Sequence, residues 1–352
     1  MSRPVALVDR AAFRANLAAL RDRFAPAQTW LATKSDCYGH GRQTLLPVAL
    51  AAGVDGLAVL DVETGLEMRA EGVEAPMLAW MHPHDADFPR ALEAGIELGV
   101  NAAWQLEAIA AAAAARGGAP AEVHLKLDTG LHRGGVDAAV WDALVTRAVE
   151  LERAGAVRIA ACWTHLSDTS HEVDAASIAE FEAGVARARE LGARPRILHA
   201  AASSAGIDFP EARYDLVRLG IAAYGVSPFH ERTAADLGLS PVLTLEARVD
   251  RAADGCAVLG AGFGDGLPAL PPGGADRPHV VLGGRVCEVL AIGIDETEIA
   301  LPDGAPEPAV GEPAVVFGQG GPSAEQWADW CGTVADEMLT GLAPRVPRIA
   351  RS

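Results

Sequence analysis

The chain has 352 residues, half of them hydrophobic, with a formal net charge of −18 and a pI of about 4.9. That length holds one barrel-sized domain and a smaller one, and the acidic balance argues against nucleic acid or an anionic membrane surface as a partner. No apolar run reaches the roughly 18–20 residues of a membrane span, the start Met1-Ser2-Arg3-Pro4-Val5-Ala6 lacks a secretory layout, and Cys37, Cys162, Cys256, Cys287 and Cys331 are scattered without metal-ligand spacing.

A reduced, cytoplasmic protein without a metal site is therefore expected. The opening run Val5-Ala6-Leu7-Val8 precedes the main repeat and reads as a strand for a later domain. From about residue 28 to 218, short β-rich runs alternate with longer segments that are apolar at helical spacing. The strands fall near 29–35, 57–60, 76–81, 97–101, 121–128, 157–165, 195–200 and 214–218. Helical patterns cover 43–50, 104–115, 138–154 and 175–191; the run Ala110 to Ala115 is helix interior, since alanine has the highest helix propensity. Eight strands with intervening helices predict an α/β fold, a (β/α)8 TIM barrel over residues 1–230. Residues 231–352 change texture. Short strands near 242–249, 280–282, 286–292, 298–301 and 314–317 lie between Gly/Pro turns, 266–278 reads as a loop, and a last helix spans about 323–340. This is a mostly β C-terminal domain.

The polar residues suited to chemistry sit at the C-terminal ends of the barrel strands, where this architecture places its sites. Lys34 leaves strand one toward Tyr38-Gly39-His40-Gly41; a strand-end lysine in apolar surroundings can lose its proton and form a Schiff base with an aldehyde. Tyr38 and the amides of that turn could bind an anion such as phosphate. Lys126-Leu127-Asp128-Thr129-Gly130-Leu131-His132-Arg133 follows strand five, Thr164-His165 closes strand six, and Arg218-Leu219-Gly220-Ile221 closes strand eight. Ser203 at a helix start and the Gly220-Ile221 amides match the barrel's usual phosphate position. Each signal has a plainer reading taken alone. Lys34 could be a surface charge, His165 an interior histidine, Arg218 a buried ion-pair partner, Ser203 a helix cap, and Asp128 an orienting carboxylate. Their joint placement on one rim favours a site.

These motifs, with Tyr214-Asp215-Leu216-Val217-Arg218-Leu219-Gly220-Ile221 and Pro344-Arg345-Val346-Pro347-Arg348, resemble the alanine racemase family of fold type III pyridoxal-phosphate (PLP) enzymes over nearly the whole chain. The resemblance implies a head-to-tail homodimer with sites at the subunit interface and an amino-acid substrate. It implies Lys34 as the Schiff-base lysine and base on one face of Cα, and Tyr38, Ser203, Gly220 and Ile221 at the phosphate. His165 would pack by the ring, Arg218 would bond the pyridine nitrogen, Arg133 would sit near the substrate carboxylate, and Lys126 matches a lysine that is often carbamylated. An arginine at the pyridine nitrogen keeps it unprotonated, which favours quick proton return over transamination.

The chain departs from the family pattern along one wall. The second base of such a racemase is a tyrosine of the partner's β domain, yet the three tyrosines here, Tyr38, Tyr214 and Tyr224, lie in or beside the barrel. Roughly twenty residues are missing between Ala247-Arg248-Val249 and Gly262-Phe263-Gly264-Asp265-Gly266 by comparison with the family pattern. The family's Ser-Met-Asp is Gly293-Ile294-Asp295, a supporting late-helix tyrosine is Asp336, and the Asn before the phosphate serine is Ala202. The expectation is a racemase or epimerase with an altered second base, Asp295 the leading replacement beside Asp265, Cys287 and His279, and not ordinary alanine racemase activity. A one-face lyase and a non-catalytic PLP binder are the alternatives.

Overall fold

The computed structural model describes residues 2–271 and 277–352, so part of the expected 266–278 loop lies outside the described residues. The chain packs as two compact units, one of Leu20–Lys34 and Gly53–Gly220, the other of Met1–Ala19, Ser35–Ala52 and Ile221–Ser352.

The first unit is the barrel. Its strands are β2 (Gln28–Ala32), β3 (Gly56–Val59), β4 (Met77–Ala79), β5 (Glu97–Val100), β6 (Ala121–Lys126), β7 (Val157–Trp163), β8 (Ile197–His199) and β9 (Leu216–Leu219); β1 (Val5–Asp9) belongs to the other unit. The parallel ladder runs β8-β7-β6-β5-β4-β3-β2-β9. It closes where the Asp215 N–H donates to Leu198 O at 3.1 Å and the Arg218 N–H to Ala201 O at 3.1 Å. All eight expected strands are present, most of them shorter than the apolar runs that announce them. Thr164-His165 and Leu127-Asp128 lie past their strand ends, because the chain leaves the ladder at the rim to turn into the loops. Strands covered on both faces read as continuous apolar runs; β3 and β4 are buried at every residue. Gly56 is required in β3, since a Cβ there would lie 2.5 Å from the Trp30 indole, which packs with Leu78 and Leu216 inside the barrel.

The second unit is built on an eight-stranded sheet. Its later strands are β10 (Leu243–Ala253), β11 (Cys256–Leu259), β12 (His279–Leu282), β13 (Arg285–Ile292), β14 (Thr297–Ala300), β15 (Pro313–Phe317) and β16 (Arg348–Arg351). The order is β11-β14-β13-β12-β15-β10-β1-β16, and β10 also pairs β11. β1 runs antiparallel to β10 and parallel to β16. The core gathers Leu245, Val280, Val316, Phe317 and Trp327. The single helix expected over 323–340 is two, Ala324–Cys331 and Ala335–Thr340. Ser323 and Gln326 form a capping box at the start, and Gly332 at φ 68° ends the first helix in the left-handed region. Asp336 stands in the first turn of the second helix, where an acid suits the helix dipole. Among the described residues no helix is long and apolar enough to cross a membrane.

Candidate active site

Lys34 follows Thr33, whose N–H donates to Ala58 O at 3.1 Å, and is half-buried. The next four residues, Ser35, Asp36, Cys37 and Tyr38, hold φ between 51° and 56°, one turn of left-handed helix closed by the Gly39 N–H on Ser35 O at 2.8 Å. Such a turn costs L-residues roughly 1–2 kcal/mol each, so it persists only where its surroundings hold it. Cys37, Tyr38 and His40 are buried, with the Tyr38 and His40 rings 4.8 Å and 5.0 Å from that of Tyr224. Arg348 of the Pro-Arg-Val-Pro-Arg motif donates through Nε to Gly39 O at 3.0 Å. Gly39 itself sits at φ 78°, and a Cβ would lie 2.2 Å from Leu339 O. His40 Nδ1 is 2.9 Å from two carbonyl oxygens, of Cys37 and Tyr38, so that nitrogen carries the proton; burial pulls the ring down to about 4 and it stays neutral.

The barrel rim is organised by Arg218, buried in β9. Its Nη1 donates to His199 Nδ1 at 2.8 Å, and its Nη2 donates to His165 Nδ1 at 3.0 Å and to the carbonyls of Thr164 (3.0 Å) and Ala200 (2.8 Å). A guanidinium has no lone pair to offer, so both imidazoles accept at Nδ1 and carry their proton on Nε2. Burial and then the charges of Arg218, Arg133, Lys126 and Lys34 hold His165 well below the usual imidazole range, which keeps it neutral. The Trp163 ring lies beneath Lys126 Nζ at 4.9 Å and the Arg218 guanidinium at 5.1 Å, and stacks on His199.

Burial, with Arg218 and Arg133, depresses Lys126 to about 8 from an ordinary 10.5. The unfolded chain then holds the proton between those values while the folded chain does not, so stability rises with pH across that window. Below about 8 both states are protonated and the full cost of burying the charge remains. Lys126→Met is expected to remove this pH-dependent increment, up to about 3 kcal/mol, when urea unfolding is compared at about pH 7.5 and about pH 10.5. Equal pH dependence in both proteins would rule it out.

The Lys126 ammonium donates to Arg133 O at 3.3 Å, so it touches the Arg133 loop through the backbone, and Arg133 itself is exposed. Asp128 accepts from the N–H groups of Gly130 (3.2 Å) and His132 (3.0 Å) and from the His132 ring. It orders the loop itself. Ser203 Oγ accepts the Gly220 N–H at 3.0 Å, bringing two of the expected phosphate residues together. The barrel unit thus joins Lys34, Lys126, Arg133, His165, Ser203, Arg218 and Gly220, whereas Tyr38 and Ile221 belong to the other unit.

That unit also holds the residues considered for a second base. Arg345 bonds both the Asp265 carboxylate, at 2.7 Å, and that of Asp295. Burial pushes the Cys287 thiol up, away from thiolate. His279 meets the Trp330 ring edge-on, and its buried Nδ1 has no hydrogen-bond partner among the described residues. The segment that the resemblance reads as shortened is a tight hairpin: Ala253 pairs Cys256 across Asp254-Gly255, both at positive φ, as a two-residue turn requires. Only Gly260, Ala261 and Gly262 separate β11 from the 3₁₀ turn Phe263–Asp265.

The polar residues that sequence reasoning left unassigned are His199, His124 and Glu97, which continue the hydrogen bonding inward from Arg218. His124 and Lys126 are two apart in β6 and share a face, the one sequence signal that could have found the histidine.

A group with anionic arms fits this cluster of cations. The buried Arg218 keeps its Nε–H and one Nη1–H without a protein acceptor among the described residues, as a heteroaromatic nitrogen would need. Among those residues, no cluster of three or more His, Cys, Asp or Glu could hold a metal ion.

Two family models match, "Alanine racemase, N-terminal domain" over residues 8–228 and "Alanine racemase, C-terminal domain" over residues 246–350. An alanine racemase of Beutenbergia cavernae is 35% identical, the match covering 98% of this chain and 97% of that protein. One of Streptomyces coelicolor is 36% identical, covering 97% and 94%. The solved alanine racemase from Streptomyces lavendulae superposes with a TM-score of 0.92 at 32% identity, covering 100% of this chain and 98% of that one.

Proposed function

The chain belongs to the alanine racemase family, and from that premise we propose that it is a PLP-dependent racemase that moves the Cα proton of an amino acid through Lys34. The observation that carries the reading is the buried Arg218 with unengaged donors beside a neutral His165, under the charges of Lys34, Lys126 and Arg133. Bound through Lys34, the cofactor supplies an electron sink that acidifies the Cα–H bond. In the barrel unit Lys34, His165, Ser203, Gly220 and Arg218 would hold it; Tyr38 and Ile221 join them on the strength of the family pattern. Lys34 is the base on one face of Cα. Arg218 would donate to the ring nitrogen and, being cationic, would keep a proton off it. Arg133 meets the substrate carboxylate. Lys126, with a neutral amine fraction at neutral pH, is suited to carbamylation. The same reading takes the protein as a cytoplasmic homodimer, with the domain boundary near residue 230.

The name shared by the relatives favours alanine as substrate and ordinary racemisation, and nothing in the comparisons supports the lyase or carrier alternatives. The finer part of the proposal is that the proton transfer on the second face does not use the family's tyrosine. The hairpin Ala253–Cys256 and the short link after β11 carry none, and no tyrosine follows Tyr224. Asp295, Asp265, Cys287 and His279 are the candidate replacements. Of the two aspartates, each is already held by Arg345, so either would first have to leave that cation.

Proton NMR of the PLP-loaded protein in D2O with L- and D-alanine separates the outcomes. Deuterium in both enantiomers with inversion is expected, and it persists in Tyr214→Phe and in Tyr224→Phe, which keeps the ring packed on Tyr38 and His40. Exchange of one enantiomer alone would reject racemisation. Loss of inversion in either phenylalanine variant, with exchange of one enantiomer kept, would reject the non-tyrosine base.

A further inference from the structure

We propose that Glu97 and His124 are positioning residues for Arg218, joined to it through His199 by a single-direction hydrogen-bond chain that crosses the barrel. Arg218 Nη1 donates to His199 Nδ1 at 2.8 Å, His199 Nε2 lies 3.0 Å from His124 Nδ1, and His124 Nε2 lies 2.6 Å from Glu97 Oε2. A guanidinium only donates and a carboxylate only accepts, so the two ends fix everything between them. His199 must accept at Nδ1 and therefore donates from Nε2; His124 accepts at Nδ1 and donates from Nε2 to Glu97. Both imidazoles are neutral Nε2–H tautomers, since a second proton on either would set two N–H groups against each other. The side chains of His124 and His199 are fully buried, so no water competes for these bonds, while the Glu97 side chain is 24% exposed.

The placement is directional. Arg218 and His199 stand toward the C-terminal ends of β9 and β8, His124 is the fourth residue of β6, and Glu97 opens β5 at the opposite end of the barrel. A carboxylate at the far end polarises each N–H toward itself and makes His199 Nδ1 a stronger acceptor for Arg218. Trp163 fixes the His199 ring laterally, stacking on it with centroids 5.2 Å apart, and donates through Nε1 to the backbone carbonyl of His124 at 3.2 Å, which holds the strand that carries that ring. Arg218 is thereby held on one side and leaves its remaining N–H groups for a ligand. The part of this inference that concerns cofactor affinity rests on the PLP reading; the tautomers do not.

The test is ¹⁵N–¹H NMR on histidine-labelled full-length protein, with and without PLP, for wild type, Glu97→Gln and Glu97→Ala. His199 and His124 are expected as Nε2–H tautomers with slowly exchanging protons. Glu97→Gln keeps an acceptor oxygen and preserves both tautomers, while its His124 proton moves upfield for want of the charge. Glu97→Ala frees His124 to exchange tautomers and shifts the His199 proton, one ring further away. PLP affinity is expected to fall by roughly three- to tenfold in Glu97→Ala and less in Glu97→Gln, the scale of losing one charge-assisted hydrogen bond. A Nδ1–H tautomer at either histidine in the wild type, or a His199 signal indifferent to Glu97→Gln and Glu97→Ala alike, would overturn the proposal. Expected tautomers in a protein that takes up no PLP would leave the chain standing and reject the cofactor reading instead.

Discussion

Lys34→Ala is expected to abolish Cα deuterium exchange by at least about 10⁴-fold, the combined loss of a covalent anchor and a general base. The same substitution should remove the visible absorbance of a lysine-bound cofactor, while a folded protein remains. Lys34 is half-buried just beyond β2 and outside the buried core, where substitutions are the costly kind. The left-handed turn after it is anchored independently, by Arg348 on Gly39 and by the burial of Cys37, Tyr38 and His40. Circular dichroism and an unchanged unfolding midpoint are therefore expected alongside the lost activity. Exchange surviving at more than about a hundredth of the wild-type rate would remove Lys34 from the mechanism.

The barrel was legible because each strand is an apolar run bounded by a helical pattern, and parallel strands covered on both faces need such runs. Lys34, His165 and Arg218 were legible for the same reason: each is a polar interruption at the end of such a run. The left-handed turn was not. Its four residues include none of the glycines that announce positive φ, and it is imposed by packing against Tyr224, Leu339 and Arg348, far along the chain. The break in the last helix could have been read from Gly332, but Trp327, Trp330 and Met338 carry an apolar spacing across it. The inner histidines escaped notice because an inward residue in mid-strand looks the same in sequence whether it fills space or carries a hydrogen bond. His124 has a partner in Glu97 only because β5 and β6 are neighbours. The second unit is where the resemblance predicts the largest departures from the family pattern. There the chain runs through the Asp254-Gly255 turn and a Gly262–Asp265 corner seated on the 293–295 turn and tied by Arg345.

Arg218→Ala is the substitution in which stability and chemistry should fail together. Four acceptors lose their donor: the Nδ1 atoms of His165 and His199 and the carbonyls of Thr164 and Ala200. Each stranded buried acceptor costs roughly 1–3 kcal/mol. The histidines can recover part of that by moving a proton, and relief of a buried charge offsets more, since burial already pulls Arg218 down to about 9. A net loss on the order of 3 kcal/mol in urea unfolding is expected. Arg218→Lys should recover only a fraction, because an ammonium cannot reach two imidazoles and two carbonyls in one plane. The chemical consequence is separable from the structural one. With the guanidinium gone, no cation would keep a proton off a bound cofactor's ring nitrogen, and the control that Arg218 would exert over where the substrate proton returns would be lost. Keto-acid formation per Cα exchange event should therefore rise by roughly tenfold or more, a 1.4 kcal/mol change in partitioning. That ratio does not depend on how much protein is folded, so a merely structural role for Arg218 would leave it unmoved. A rise in the ratio in Arg218→Ala, reversed toward wild type in Arg218→Lys, is the result that ties the buried donor set of β9 to the direction of the reaction.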